Sequence, residues 1–224
     1  NGVIQYNEIN GGTEVQGERD SVRIKDGNGW NIHHNLVANF SHDGVNLMGR
    51  IPQWHDVEAH VNNNEVHHNE FFNDLPYGRA FGTQGNGLGY ASSNKIYDNY
   101  IHDVQINSKV QGDHNEVFNN VFLNVRRTTA RSNNEVFHAG RIGVHDYIYS
   151  VQNKVYDNFI ANTDGPGIVM NGHEDGNEVR NNTIINSGMY RGSQGAGLEN
   201  IGLYIFGRGP HLERSVGAHI FAQN

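Results

Sequence analysis

The densest run of chemically capable side chains is Arg141-Ile142-Gly143-Val144-His145-Asp146-Tyr147-Ile148-Tyr149. Such a set suits proton abstraction next to a carboxylate. In that reading Arg141 and Arg127 neutralise the carboxylate, His145 removes the acidified proton, and Tyr149 or Tyr147 protonates the leaving oxygen. The corresponding reaction is β-elimination on a uronate-containing glycan. A purely structural His145 is the competing reading. Further arginines, among them Arg50, Arg79, Arg126, Arg131 and Arg191, lie between the repeating units described below, where guanidinium groups can line an anion-binding groove. Their pairing with scaffold acids is the alternative.

Three other segments carry chemistry-bearing residues. Trp54-His55-Asp56-Val57-Glu58-Ala59-His60 is rich in ligand types but matches no standard zinc spacing, so no metal ligand is assigned and Trp54 reads as a sugar platform or packing residue. His33-His34 and His67-His68 occupy equivalent repeat positions, which predicts turn or stacking roles. The turn His173-Glu174-Asp175-Gly176 could take Ca²⁺ weakly, and Ca²⁺ is the one cofactor with any signal.

The elements that must position these groups are short. The chain has 224 residues with 28 Gly and 33 Asn, both turn residues that tolerate left-handed backbone, and charged residues make up only 18%. Twenty Tyr and Phe together argue against disorder. Cysteine is absent, which excludes disulfides, thiolate metal sites and cysteine catalysis. A net charge of −8 speaks against general nucleic-acid binding, and no apolar run approaches a membrane span. No signal peptide opens the chain, which begins as repeat sequence and reads as a processed or partial chain.

One pattern recurs: Asn-x-(Val/Ile)-x-x-Asn-x-(Ile/Val/Phe). It starts at Asn31, Asn64, Asn94, Asn115, Asn153 and Asn177, with a degenerate copy from Gly2 and an incomplete one at Asn134. Each unit holds two short strands flanking an Asn, which is expected in a left-handed turn position and bonded to its counterpart one coil away. A third strand precedes the unit, as at Gly44–Leu47, Gly87–Tyr90, Gly167–Met170 and Gly202–Ile205. Three strands per repeat predict a right-handed parallel β-helix, an all-β solenoid of about seven or eight coils, in a single domain over 1–224. No single coil can bury its own apolar face, so stacking must make the core. Helical spacing is not sustained, and leucine-rich repeats would need far more Leu. The excess between units leaves as insertions at Met48–Val61, Asp74–Gly87, Val125–Val151 and Ser187–Gly197, where binding residues are expected. Aligning Val144 with Ile168 turns His145 outward, together with Asn46 and Tyr204 of the same sheet.

The segments NEVRNNTIINSG and GPGIVMNGHEDGNEV resemble the repeats of the pectate-lyase-like parallel β-helix superfamily over nearly the whole chain. That superfamily contains polysaccharide lyases, epimerases, glycoside hydrolases, tailspikes and non-catalytic surface proteins. The resemblance implies a secreted or cell-surface protein whose partner is an acidic polysaccharide. The Asp-rich motifs of polygalacturonases and the Tyr-Gly…Asp-Pro-His motif of mannuronan epimerases are absent, so no catalytic residue transfers by motif. The residues favour a lyase with His145, Tyr149 and Arg141 as catalytic groups and Arg127, Tyr147, Tyr204, Trp54, Arg50 and Arg79 as substrate contacts. The alternative is a structural or adhesive solenoid that self-associates through uncapped ends; Ser215–Phe221 reads as a strand there, not a capping helix.

Overall fold

The computed structural model describes residues 1–11, 20–50, 58–73, 78–85, 89–104, 108–125, 142–144, 150–164, 166–172, 176–187, 202–207 and 221–222. At 142–144, 171–172, 204–207 and 221–222 only the backbone is described. The chain is all-β, and its strands pair in parallel to form three sheets, consistent with a β-solenoid.

The strands enter the sheets in rotation. Sheet A takes β1 (Gly2–Gln5), β4 (Trp30–His33), β7 (Glu65–His67), β10 (Lys95–Tyr97), β13 (Glu116–Phe118), β16 (Lys154–Tyr156), β19 (Glu178–Arg180) and β22 (Phe221–Ala222). Sheet B takes β2 (Glu8–Asn10), β5 (Leu36–Ala38), β8 (Glu70–Phe72), β11 (Tyr100–His102), β14 (Val121–Leu123), β17 (Phe159–Ala161) and β20 (Thr183–Ile185). Sheet C takes β3 (Val22–Ile24), β6 (Asp43–Met48), β9 (Arg79–Gln84), β12 (Ser108–Val110), β15 (Ile142–Val144), β18 (Ile168–Gly172) and β21 (Leu203–Gly207). Each Asn-bounded unit therefore supplies one A strand and one B strand. The incomplete copy at Asn134 lies outside the described residues, and β13 pairs directly with β16 across it.

The middle residue of each three-residue strand of sheets A and B points inward. Val66, Ile96, Val117, Val155 and Val179 of sheet A face Phe71, Ile101, Phe122 and Ile160 of sheet B, all at most 1% exposed. Because each row repeats at the strand spacing of about 4.8 Å, every side chain packs on its counterpart in the neighbouring rung. The core is a column, not a ball.

Two buried asparagine ladders hold the turns. Asn64, Asn94, Asn115, Asn153 and Asn177 form the ladder entering sheet A; Asn35, Asn69, Asn99, Asn120, Asn158 and Asn182 form the one between sheets A and B. Asn120 is representative. Its backbone N–H and Nδ2 donate to Asn158 Oδ1 at 3.0 and 3.1 Å, and Nδ2 also donates to the carbonyls of Ile96 and Phe118, each at 3.0 Å. The expectation that this Asn is itself left-handed is corrected. Positive φ falls on the residue before it, as at His34 (55°), His68 (53°), Asp98 (53°), Asn119 (53°) and Asp157 (55°). The left-handed residue turns the chain, and the following Asn then points into the corner to collect carbonyls. The original expectation does hold for a third, outer ladder after sheet B. There Asn124, Asn162 and Asn186 have φ of 52°, 57° and 50° and bond one another at 3.3 and 3.2 Å.

Sheet C departs from the sequence reading at one rung. Its strand there is β9, not Gly87–Tyr90, and six residues of the supposed Asp74–Gly87 insertion are sheet. The polar and glycine content of Arg79-Ala80-Phe81-Gly82-Thr83-Gln84 hides it, for a reason supplied by the site it carries.

Candidate functional site

Asp20, Asp43 and Arg79 stand in one column of sheet C. Val22 pairs with Val45 and Asp43 with Arg79, so extending the first register by two residues brings Asp20 alongside Asp43. His42 precedes β6, and Arg23 and Asn46 are register partners on β3 and β6.

These side chains form a buried ion network. Arg79 grips Asp43 with two bonds, Nε donating to Oδ1 at 2.6 Å and Nη2 to Oδ2 at 3.0 Å. His42 Nδ1 donates to Asp20 Oδ1 at 2.7 Å and lies 3.0 Å from Asp43 Oδ2. Asp20 Oδ2 accepts from Arg23 Nε and from Asn46 Nδ2, the latter at 2.8 Å. The carboxylates of Asp20 and Asp43 are fully buried, while His42 keeps 19% and Arg79 11% side-chain exposure. Gly82 makes room for the network: a Cβ there would sit 3.2 Å from Asp43 Oδ1.

The protonation of His42 follows from its two faces. Burial lowers its pKa, but the hydrogen bonds to Asp20 and Asp43 outweigh it and push the ring up to about 9. Against them, Arg79 Nη2 lies 2.6 Å from His42 Nε2 and must donate to a lone pair there. Protonating Nε2 and keeping this contact are mutually exclusive, so the contact belongs to the neutral form that the ring takes above that pKa, held by its Nδ1–H. Asp20 is buried too, which raises its pKa, yet the donors His42, Arg23 and Asn46 bring it below the usual value.

Asp20, His42 and Asp43 also have the ligand types of a cation site, their donor atoms lying within 4.8 Å of one another. The fit is poor. Guanidinium groups already occupy both oxygens of Asp43 and one of Asp20, and a cation would have to displace them. The arrangement is instead an anchored imidazole flanked by two arginines, each paired with a buried carboxylate. One group is left over. Asn46 is fully buried, and its Oδ1 has no donor among the described residues.

Of the residues singled out from the sequence, Arg79 is therefore in a network, but on a strand. Arg50 lies at the base of the next loop, its backbone paired with Ala59 and its guanidinium against Met48 Sδ at 3.2 Å. Beyond that bridge His60 stacks on Tyr90 at 4.7 Å and meets Glu58 Oε1 at 2.9 Å. Tyr204 lies on β21 opposite Val169; its side chain is outside the described residues. His145, Tyr149, Arg141, Arg127, Tyr147, Trp54 and the turn read for Ca²⁺ at His173–Asp175 also lie outside them. Val144 is opposite Met170 and Ile142 opposite Ile168, so the assumed pairing of Val144 with Ile168 is offset by two residues, which preserves its parity. The residues that sequence reasoning missed are Asp20, Arg23, His42 and Asp43.

The outer face of sheet A is of another kind. His33, His67, Tyr97, Phe118 and Tyr156 stack in series at 5.0, 4.7, 4.9 and 4.9 Å, and Arg180 closes the row 4.3 Å from the Tyr156 ring. Next to it Glu65, Lys95, Glu116, Lys154 and Glu178 alternate in charge, each paired in register with the next. Tyr97 donates to Glu65 and Tyr156 to Glu116; burial and then these carboxylates push both phenols up to about 12.

No protein-family model matches the chain, and neither the curated proteins nor the solved structures contain a match to it.

Proposed function

We propose that the protein is a polysaccharide lyase of the pectate-lyase-like type, a right-handed β-helix of seven or eight coils. It cleaves a uronate-containing glycan along the outer face of sheet C, outside the cell or at its surface. The observation that carries this reading is the imidazole of His42, anchored through Nδ1, beside Arg79 and Arg23 and with 19% of its side chain open to solvent.

In this mechanism Arg79 leaves His42 Nε2 for the substrate carboxylate, assisted by Arg23. The freed Nε2 takes the C5 proton, the C4–O bond breaks as the C4=C5 double bond forms, and the leaving oxygen is protonated. Asp20 keeps the imidazole in the required tautomer through Nδ1. Tyr149 and Tyr147 follow β15 in the sequence, a strand three places from β6 or about 14 Å along sheet C. That is too far to protonate an oxygen of the sugar held at His42; the imidazolium formed on His42 returns its proton to that oxygen. His145 with Arg141 and Arg127 then forms either a second binding stretch on the same glycan or the true catalytic centre.

A second reading, a non-catalytic structural solenoid, is favoured by the continuous aromatic and charge rows of sheet A, which need no substrate. The two are separated by incubating the protein with pectate, alginate and glycosaminoglycans, with and without Ca²⁺, and following unsaturated-uronate absorbance. Product on at least one substrate is expected. None on any of them, with fibres visible by electron microscopy, selects the structural solenoid.

A further inference from the structure

The four imidazoles His33, His34, His67 and His68 form a two-by-two block at the corner between sheets A and B. Within each consecutive pair the Nδ1 atoms converge to 2.8 Å. Between rungs the rings stack in parallel, His33 on His67 at 5.0 Å and His34 on His68 at 5.1 Å. The turn causes this: His33 and His67 end outward on their strands, and the left-handed His34 and His68 swing their rings back against them. The outer rings of both pairs, His34 and His68, are exposed.

We infer that this block binds a divalent first-row transition-metal ion, with Cu²⁺ and Ni²⁺ preferred to Zn²⁺. Metal–nitrogen bonds of about 2.0–2.1 Å place two ligands at a right angle about 2.9 Å apart, whereas a tetrahedral ion needs about 3.3 Å. The observed 2.8 Å matches the right angle of square-planar or octahedral coordination. The tautomers suit it. Asn31 Oδ1 accepts from His67 Nε2 at 2.8 Å, which leaves the lone pair on Nδ1 and fixes the ring as an outer-shell partner does in metal sites. His68 then donates its Nδ1 proton to His67 when no ion is present. On binding, that proton moves to His68 Nε2, which faces Asp98 Oδ2 at 3.9 Å, so a carboxylate waits where the N–H will appear. Because a second ion would sit about 5 Å from the first and be repelled by it, the block takes one ion. Its remaining coordination positions are open to water or a small donor.

The repeat supplies its own conservative variants. Asn119 and Asn181 occupy the positions equivalent to His34 and His68, and Tyr97 and Tyr156 those of His33 and His67. The test is Cu²⁺ titration of the full chain by calorimetry, with electron paramagnetic resonance of the loaded protein. Wild type is expected to bind one ion tightly with nitrogen hyperfine coupling. Both H34N/H68N and H33Y/H67Y should weaken that binding by about 100-fold or more, and H114N, at another exposed left-handed turn, should not change it. Thermal melts establish that each variant is folded. Equal Cu²⁺ affinity in wild type and the folded double variants would overturn the inference, and Zn²⁺ binding more tightly than Cu²⁺ would overturn its geometry.

Discussion

The A–B corner and the outer face of sheet C satisfy buried polar groups by opposite means. At the corner each Asn meets an identical Asn in the next rung, and one set of bonds is copied along the chain. On sheet C, Asp20, His42, Asp43, Asn46 and Arg79 bond to unlike neighbours, once only. Repetition needs no distinct chemistry at any rung, whereas a unique network of charges must be assembled by each strand separately. Buried charge is expensive unless fully paired, and replacement by apolar residues often stabilises. A scaffold built so economically at one corner has no structural need of the ion network at the other. That contrast is the ground for assigning the proposed chemistry to sheet C.

The strongest way to break the contrast is Asp43→Ala, which leaves the largely buried Arg79 without its carboxylate. It should cost about 3–5 kcal/mol in denaturant unfolding. Next, Asn120→Ala removes the acceptor for two donors of Asn99 and strands the carbonyls of Ile96 and Phe118; about 3 kcal/mol is expected in the same measurement. Tyr156→Phe keeps the stack on Phe118 but loses the 2.8 Å bond to Glu116, a loss of about 1 kcal/mol. Least of all, Asn162→Asp on the outer ladder should lie within about 0.5 kcal/mol, because Asp103 already holds the equivalent left-handed turn. A corner variant that abolished turnover while remaining folded would erase the distinction between the two regions.

The same contrast explains what was legible in the sequence. Sheets A and B are written in a two-strand pattern whose Asn, Val and Ile recur at fixed offsets, so β7, β10, β13, β16 and β19 follow from it directly. Of the left-handed residues at the A–B corner, His34 and His68 are legible as turn residues from their repeated positions, whereas Asp98, Asn119, Asp157 and Asn181 share no residue type that marks the turn. Strand β9 was hidden because Gly82 must clear the Asp43 carboxylate and Arg79 must reach it, so no apolar alternation survives. Asp20 and His42 precede their strands and match no motif. The available signal was the register: aligning Val22, Val45 and Phe81 stacks Asp20, Asp43 and Arg79 in one column. Arg50 and Arg79 were found by charge, but only Arg79 joins the network.

The most direct test of the account is the pH dependence of unsaturated-uronate formation by wild type and His42→Gln, each verified as folded. A general base must be deprotonated to act. With His42 raised to about 9 by its two carboxylates, wild-type turnover should therefore climb as pH rises and level off beyond about pH 9. His42→Gln should be at least about 100-fold slower and lack that limb. A folded His42→Gln protein that retains wild-type turnover and the same pH profile would contradict the assignment of the chemistry to this face of sheet C.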